Sequence, residues 1–276
     1  MESKSQKLIV PWDFTSVSEN ALLYAQKIGS FTDDFSVELI HVIESSGMFS
    51  KTKLTKEEAT EKLKADTKRI EQELGLEVKP VIQEGNIFHT ISEYAFDVEA
   101  DMVIMGTHGI KGVQKLTGSK ALKVIAGSNV PYLVIQDKPR EGRIFENIIF
   151  PLDYRLNEKD RLRWTIRTAH QFNSMVHMIL PHKSDAGIQK KINLNLSFAK
   201  KLLEANEIKY EVHNASKRGS FSEEIVKLAT DIESDLILIM TSPNLDFTDY
   251  IFGAQEQYVI ANHAKIPVIC INPVML

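Results

Sequence analysis

The chain repeats itself, because one pattern of about half its length occurs twice. The segment Lys7–Thr15, KLIVPWDFT, reappears as Asn147–Arg155, NIIFPLDYR, and in both copies an apolar strand pattern ends in Pro-x-Asp. Further on, EADMVIMGTHG resembles ESDLILIMTSPN, and the copies stay about 140 residues apart at the start and about 135 at the end. Self-similarity of this kind predicts two copies of one domain, residues 1–140 and 141–276, with the polar segment Gln136–Glu146 as a short linker.

Strand and helix patterns alternate in each copy. In the first copy, capping boxes that begin at Ser16 and Thr55 predict two helix starts, and Gly75 predicts a helix end. The strands are dominated by Val, Ile and Leu on both faces, as is typical of a parallel sheet covered by helices on both sides. The fold class is therefore α/β, with two doubly wound domains in tandem. Pro80 in the third strand pattern favours a position at the edge of the sheet for that strand.

The composition excludes several classes of protein. A formal net charge of −4 gives no electrostatic reason to expect nucleic acid or an anionic membrane as a partner. The N-terminal segment MESKSQKLIVPWDF lacks the apolar core of a signal peptide, and no apolar run approaches the roughly 20 residues of a membrane span. The single cysteine, Cys270, lies in the apolar run PVICI and is expected to be a buried structural residue in a reducing compartment. A cytoplasmic protein is expected.

Two unusual features follow strands of the first copy: Pro-x-Asp after the first strand, and the glycine-rich segment Met105–Ile125 after the fourth. Ligands of doubly wound sheets bind at the carboxyl ends of the strands, where both features lie. Gly106 and Gly109 let the backbone turn steeply and pass close to a ligand. Gly118 and Ser119 would present free amides and a hydroxyl at a helix start, which favours an anion. A tight connection without a ligand is the alternative, and the P-loop and dinucleotide fingerprints are both missing.

These residues resemble the universal stress protein family, and the two copies resemble its tandem members. The most specific stretches are VPWDFTSVSENAL and MGTHG, and the likeness spans nearly the whole chain. The resemblance implies two parallel five-stranded sheets with strand order 3-2-1-4-5. It also implies an intramolecular pseudo-dimer in which the two domains pair through their terminal strands, PYLVIQ and PVICIN.

The nucleotide-binding branch of that family implies an adenine nucleotide, ATP, AMP or ADP, as the ligand of the first domain. Whether Mg²⁺ binds together with the nucleotide is left open. Asp13 would hydrogen-bond the ribose hydroxyls, and Val42 would offer backbone groups to an adenine lined by Pro11 and Met105. The glycines and Ser119 would hold the phosphates. The loop sequence itself adds two candidates, His108 for a contact with a phosphate and Lys120 for positive charge, and exposed loop residues are the alternative for both. The full candidate set is Pro11, Asp13, Val42, Met105, Gly106, His108, Gly109, Gly118, Ser119 and Lys120.

Two features depart from the family pattern. The loop has eight residues between Gly109 and Gly118 instead of nine. Trp12 stands between Pro11 and Asp13, where its ring either packs in the core or crowds the pocket.

The second copy departs further. At an offset of 135, Thr241 replaces Gly106, and the remaining counterparts in the second copy are Asn244, Gly253 and Ala254. Side chains then occupy positions where the backbone would have to approach a ligand. Asp246 and Asp249 also bring negative charge where the first loop has lysines. The second site is expected to be empty or adapted to another ligand.

The function implied is that of a stress-response regulator that binds an adenine nucleotide. The first alternative is an interaction scaffold with both sites vestigial. The second is an ATP-cleaving enzyme, which ranks last because the Ser-Gly-Gly phosphate loop after strand 1 is missing. No residue set forms a general base beside an activated nucleophile, so catalysis is expected to be at most slow ATP hydrolysis. A homodimer is left open.

Individual histidines and tryptophans receive structural interpretations. His177 and His182 have neither a carboxylate at ligand spacing nor a cysteine pair, so no metal site is predicted. His41 is expected to be a hydrogen-bonded interior residue. Trp164 lies on a helical stripe and is expected to pack in the core or between the domains.

Overall fold

The computed structural model describes most of the chain, namely residues 5–43, 54–107, 125, 128–142, 144–152, 158–216, 219–240 and 254–272. The chain divides into two compact units between Pro139 and Arg140. Each unit is an α/β domain with five parallel strands among its described residues. None of the helices in this part of the chain has the length and apolar character needed to cross a membrane.

Unit 1 contains five strands and three helices within the described ranges. They are β1 (Gln6–Pro11), α1 (Ser16–Gly29), β2 (Phe35–Ile43), α2 (Lys56–Leu74), β3 (Val78–Glu84), α3 (Ile87–Asp97), β4 (Met102–Gly106) and β5 (Tyr132–Ile135). Its strands run in the order β3-β2-β1-β4-β5, and all neighbours are parallel. The predicted order 3-2-1-4-5 is confirmed, and Pro80 lies in the edge strand β3 as expected.

Unit 2 repeats this arrangement with five strands and four described helices. They are β6 (Asn147–Pro151), α4 (Glu158–Phe172), β7 (Met175–Leu180), α5 (Ala186–Ala205), β8 (Tyr210–Asn214), α6 (Phe221–Asp231), β9 (Leu236–Met240), α7 (Ala254–Ile260) and β10 (Val268–Ile271). The order β8-β7-β6-β9-β10 is the same winding, again with parallel neighbours.

The core of each unit lies on its central strands. Leu8, Ile9 and Val10 of β1 have no exposed surface, and every residue of β9 is buried. Because helices cover both faces of a parallel sheet, these strands carry apolar residues in succession rather than in alternation. Cys270 in β10 is buried too, as predicted, and burial raises the pKa of its thiol.

Two helix starts in unit 1 show how local sequence determines the elements. At α2, the Glu58 amide donates to Thr55 Oγ1 at 3.2 Å and the Thr55 amide donates to Glu58 Oε2 at 2.8 Å, so the predicted capping box is confirmed. Gly75 ends this helix at φ +62°. The box predicted at Ser16 is wrong, because Thr15 caps α1 through a 3.3 Å bond from the Val17 amide and Ser16 is already helical.

The predicted linker is shorter than its sequence indicated. Ile144 and Phe145, at its C-terminal end, are buried. The Phe145 ring meets Phe172 of α4 edge to face, with centroids 5.0 Å apart and an interplanar angle of 88°. Offset and edge-to-face contacts of this kind add stability beyond the buried area. These two residues therefore belong to the core of unit 2.

The strand register corrects the alignment of the two copies. The pairing of β1 with β4 has the same register as the pairing of β6 with β9. Counted from that register, the counterpart of Gly106 is Met240, and the assignment to Thr241 is wrong by one residue. Met240 is buried, so unit 2 carries a large side chain where unit 1 has none.

Candidate functional site

Strands β2, β1 and β4 of unit 1 end next to one another, as expected for a ligand site at the carboxyl edge. Pro11 is the last residue of β1 and pairs with Ile40 of β2, two residues before Val42. Continuing the β1–β4 register brings Met105 beside Pro11, with Gly106 at the strand end. Four of the implied residues are thus neighbours at one edge. The others are Asp13, described next, and five that lie outside the described residues: His108, Gly109, Gly118, Ser119 and Lys120.

Asp13 follows β1 with an exposed side chain whose orientation is set by the start of α1. Its Oδ1 accepts hydrogen bonds from the Thr15 amide at 3.0 Å, the Thr15 hydroxyl at 2.6 Å and the Ser18 hydroxyl at 3.0 Å. Three donors on one oxygen hold the carboxylate in a single direction. The same bonds link the end of β1 to the first turn of α1.

The turn after β1 has a strained backbone. Phe14 has φ +63°, in the left-handed region that costs a residue with a side chain roughly 1–2 kcal/mol. Its ring lies 4.7 Å from the His41 ring, and the Lys62 ammonium lies 4.3 Å from its centroid. His41 Nδ1 donates to the Trp12 carbonyl at 2.7 Å, which confirms that this histidine is hydrogen-bonded. These contacts hold the turn against its strain.

Trp12 packs in the core. Its side chain is buried, and its indole Nε1 donates to Asp66 Oδ2 of α2 at 2.8 Å. Of the two interpretations of this residue, core packing is therefore the correct one. The hydrogen bond satisfies the only polar atom of the indole and ties α2 to the end of β1.

Gly106 has a structural reason for being glycine. A Cβ atom at this position would lie 2.3 Å from Val17 Cγ1 and 2.4 Å from the Val17 carbonyl oxygen. Both distances are far below van der Waals contact. The end of β4 thus approaches the first turn of α1 so closely that no side chain fits. The sequence left a close approach to a ligand and a tight connection without a ligand open as explanations of this glycine, and the contact with Val17 is sufficient without a ligand.

The corresponding edge of unit 2 is built differently. Arg161 of α4 stands where the offset of 140 places Ala21 in unit 1, and it is buried. Its Nη1 donates to the Pro151 carbonyl at 3.1 Å, and its guanidinium carbon lies 5.4 Å from the centroid of the Phe150 ring. A small pocket lies beside it and is lined partly by Met240. A buried cation thus replaces a methyl group at the end of the central strand.

Unit 2 also contains a polar cluster that the sequence did not predict. His177 of β7 lies beside Glu211 and His213 of β8, because the two strands are paired. Burial lowers the pKa of His177, although the Glu211 carboxylate opposes that shift. His182, the other histidine of this region, is exposed. Local spacing did not reveal the cluster, since His177 comes from a different strand than Glu211 and His213.

Unit 1 also has a polar cluster, at the position in its sheet that corresponds to the His177 cluster of unit 2. The Glu38 carboxylate of β2 is buried, accepts from the Lys79 ammonium at 3.1 Å and also accepts from the Tyr94 hydroxyl of α3. Burial, together with the Glu38 carboxylate, raises the pKa of Tyr94, so this phenol is a neutral donor. Side chains of the protein itself therefore balance the charge of Glu38 and donate hydrogen bonds to it.

The comparisons agree with this architecture. The family model described as "Universal stress protein family" matches the chain twice, at residues 4–136 and 145–272. Because these matches cover most of the chain, the protein belongs to the universal stress protein family. Two proteins of Methanocaldococcus jannaschii, Universal stress protein MJ0531 and Universal stress protein MJ0577, are each 31% identical to it. Their matches cover 51% and 48% of this chain and 87% and 96% of their own lengths.

Solved structures resemble the chain over its full length. A universal stress protein from Archaeoglobus fulgidus aligns with a TM-score of 0.76 at 19% identity, covering 98% of this chain and 99% of that one. A putative universal stress protein from Pseudomonas aeruginosa aligns with a TM-score of 0.67 at 14% identity, covering 98% and 94%. At these identities the likeness supports the fold alone.

Proposed function

We propose that unit 1 binds an adenine nucleotide, ATP or a close relative with Mg²⁺ on its phosphates, and that the protein acts as a nucleotide-responsive regulator in a stress response. The observation that carries this proposal is Asp13, an exposed carboxylate held in one direction at the end of the central strand. An oriented acceptor of this kind suits a pair of ribose hydroxyls. Pro11 and Met105 beside it would supply apolar contacts for a base.

Trp12 supports the proposal by its position. Its ring is buried and its indole NH is bound to Asp66, so the side chain does not compete for the space at the exposed Asp13. The glycine loop and its helix start, residues 106–120, would then hold the phosphates as the family resemblance implies. No catalytic step is part of the proposal.

A second candidate function, an interaction scaffold with no nucleotide, is favoured by Gly106. The close approach to Val17 accounts for that glycine without any ligand. Similarly, Asp13 already serves the start of α1 through Thr15 and Ser18. The two functions therefore differ in whether these residues do anything beyond holding β1, β4 and α1 together.

The first test asks whether nucleotide is present and stabilising. The full-length protein is purified and denatured, and any released adenine nucleotide is identified by chromatography. Its thermal unfolding is then followed with and without millimolar Mg-ATP, because a ligand that prefers the native state raises the unfolding midpoint. Absence of both released nucleotide and a shift would favour the scaffold.

The second test uses matched substitutions. Asp13→Asn keeps an oxygen for Thr15 and Ser18 but removes the negative charge, and Gly118→Val puts a side chain in the proposed phosphate cradle. Each should lower the affinity for ATP at least tenfold, a loss of about 1.4 kcal/mol. Asp153→Asn, the same change in the Pro-x-Asp of the second copy, is the control and should leave the affinity unchanged. Equal affinity in all four proteins would remove unit 1 as the site.

A further inference from the structure

We propose that His177, Glu211 and His213 of unit 2 bind a divalent transition-metal ion of the Zn²⁺ class. The three side chains belong to the neighbouring strands β7 and β8. The parallel register pairs His177 with Glu211 and Ile179 with His213. Glu211 and His213 are two residues apart on one strand, so both project from the same face of the sheet. The backbone of two strands thus brings three metal-ligating groups together.

The donor atoms have the spacing of a metal site. His177 Nδ1 lies 3.1 Å from His213 Nε2 and 3.4 Å from Glu211 Oε2, and the last two atoms are 3.6 Å apart. A tetrahedral Zn²⁺ ion with bonds of about 2.0–2.1 Å keeps its donors about 3.3–3.4 Å apart. The three observed distances bracket that value. A point about 2.0 Å from all three atoms exists between them, as such bonds require.

Asn147 determines which nitrogen of His177 faces the cluster as an acceptor. Its Oδ1 lies 3.1 Å from His177 Nε2, and an amide oxygen only accepts, so Nε2 carries the proton. In the neutral ring, Nδ1 is then the nitrogen with a lone pair, and it faces Glu211 and His213. Metal-bound histidines are held in this way by a hydrogen bond from the second ring nitrogen. Asn147 acts here as a positioning residue.

The same place in unit 1 contains a cation supplied by the protein. Counted from the shared Pro-x-Asp, the register gives Glu38 the position of His177 and Lys79 that of Glu211. In unit 1, the Lys79 ammonium neutralises the buried Glu38 carboxylate at 3.1 Å. In unit 2 the lysine position holds a carboxylate, and among the described residues its ion-pair partners are the two histidines. A bound cation would fill the role that Lys79 has in unit 1.

The ligand types indicate the class of ion. Two imidazoles and one carboxylate suit Zn²⁺ and its neighbours in the first transition series, whereas Mg²⁺ and Ca²⁺ prefer oxygen ligands only. Glu211 is 56% exposed and His213 25% exposed, so the site faces solvent on one side and leaves room for water as a fourth ligand. Such an ion would cross-link β7 to β8, the last strand of this sheet.

The test uses the full-length protein, without a polyhistidine tag and freed of metal by a chelator. Zn²⁺ is titrated calorimetrically, and Mg²⁺ is titrated in parallel. We expect the wild-type protein to bind Zn²⁺, and we expect its affinity to fall at least tenfold in both His213→Gln and Glu211→Gln. Co²⁺ added to the wild-type protein should show the visible absorption of a tetrahedral site.

His182→Gln is the matched control, because it removes an exposed histidine of the same unit that lies outside the cluster. It should bind Zn²⁺ like the wild type. Circular dichroism of each variant checks that the fold is kept. The substitutions are made at Glu211 and His213 because these side chains are partly exposed and their replacement should disturb the fold little. No Zn²⁺ binding by the wild type, or wild-type affinity in either cluster variant, would overturn the proposal. Because no nucleotide is used, this outcome is independent of the proposed function.

Discussion

Single residues at the carboxyl edge of unit 1 have structural roles that a sequence pattern does not reveal. Gly106 lies in the glycine-rich segment, and the sequence pattern alone left a ligand and a tight connection open as its explanation. In the structure, its lack of a side chain lets β4 approach Val17 of α1. Asp13 likewise orients the start of α1 through Thr15 and Ser18. A residue of a ligand motif in this fold therefore also contributes to stability, and mutational loss of binding has to be separated from loss of folding.

Gly106→Ala should destabilise the protein by about 1–3 kcal/mol, the usual cost of adding a methyl group to a packed interior. The added Cβ would lie 2.3 Å from Val17 Cγ1 and 2.4 Å from the Val17 carbonyl oxygen. The backbone of Gly106 is outside the left-handed region, so the cost comes from this steric overlap. Chemical denaturation without nucleotide measures it.

Val17→Ala provides the control for this prediction. If the overlap with Val17 is the cause, the double variant Gly106→Ala/Val17→Ala should be less destabilised than the sum of the two single changes. The relief should be partial, because the carbonyl oxygen remains in place. Strictly additive free energies of unfolding would show that the cost of Gly106→Ala arises elsewhere.

Elements were predictable from the sequence to the extent that their signals are local. The capping box at Thr55 and the end at Gly75 were read correctly, since all the atoms involved lie within one turn. The start of α1 was misread by one residue, because Thr15 and Ser16 both offer a hydroxyl and only the backbone distinguishes them. Apolar runs predicted the strands, and the family resemblance implied their order.

Contacts between elements were not predictable in the same way. His177 meets Glu211 and His213 only because β7 and β8 pair in one register, and a shift of one residue would turn those side chains to the other face. The hydrogen bond from Trp12 to Asp66 also joins separate elements. The sequence predicted a candidate ligand edge as a set of strand ends, whereas it did not predict that His177, Glu211 and His213 meet.

Thr55→Ala should destabilise unit 1 by about 1 kcal/mol, because it removes the side-chain oxygen that accepts from the Glu58 amide. The reciprocal half of the box, in which the Glu58 carboxylate accepts from the backbone amide of residue 55, does not use the threonine side chain and is retained. Thr67→Ala, inside the same helix, is the matched control. It should change stability by a few tenths of a kcal/mol, since alanine is the better helix former.

Thermal and chemical unfolding of both variants measures this difference. The prediction fails if Thr55→Ala and Thr67→Ala have the same free energy of unfolding. In that case the capping box at the start of α2 would contribute nothing beyond what water supplies to the free amides.

At the scale of the whole molecule, a duplicated domain has diverged in its charges while keeping its strand order. Unit 1 has an oriented carboxylate at its strand ends, and the buried Glu38 of its sheet is paired with the exposed Lys79. Unit 2 has the buried Arg161 at its strand ends and two histidines with a carboxylate in its sheet. The apolar core is retained in both units because it specifies the fold, whereas the polar positions differ between them. Each unit is therefore expected to respond to a different ligand.

Hydrogen exchange of the full-length protein tests that expectation. A ligand slows exchange most where it stabilises local structure, so Mg-ATP should protect β1, the start of α1 and the end of β4. Zn²⁺ should instead protect β7 and β8, whose edge it would cross-link. Glu211→Gln should lose the Zn²⁺ effect and keep the Mg-ATP effect, and Asp13→Asn should do the reverse. Equal protection of the core strands of both units by either ligand would mean that the two units unfold together as one cooperative body. The expectation that each unit responds to its own ligand would then be wrong.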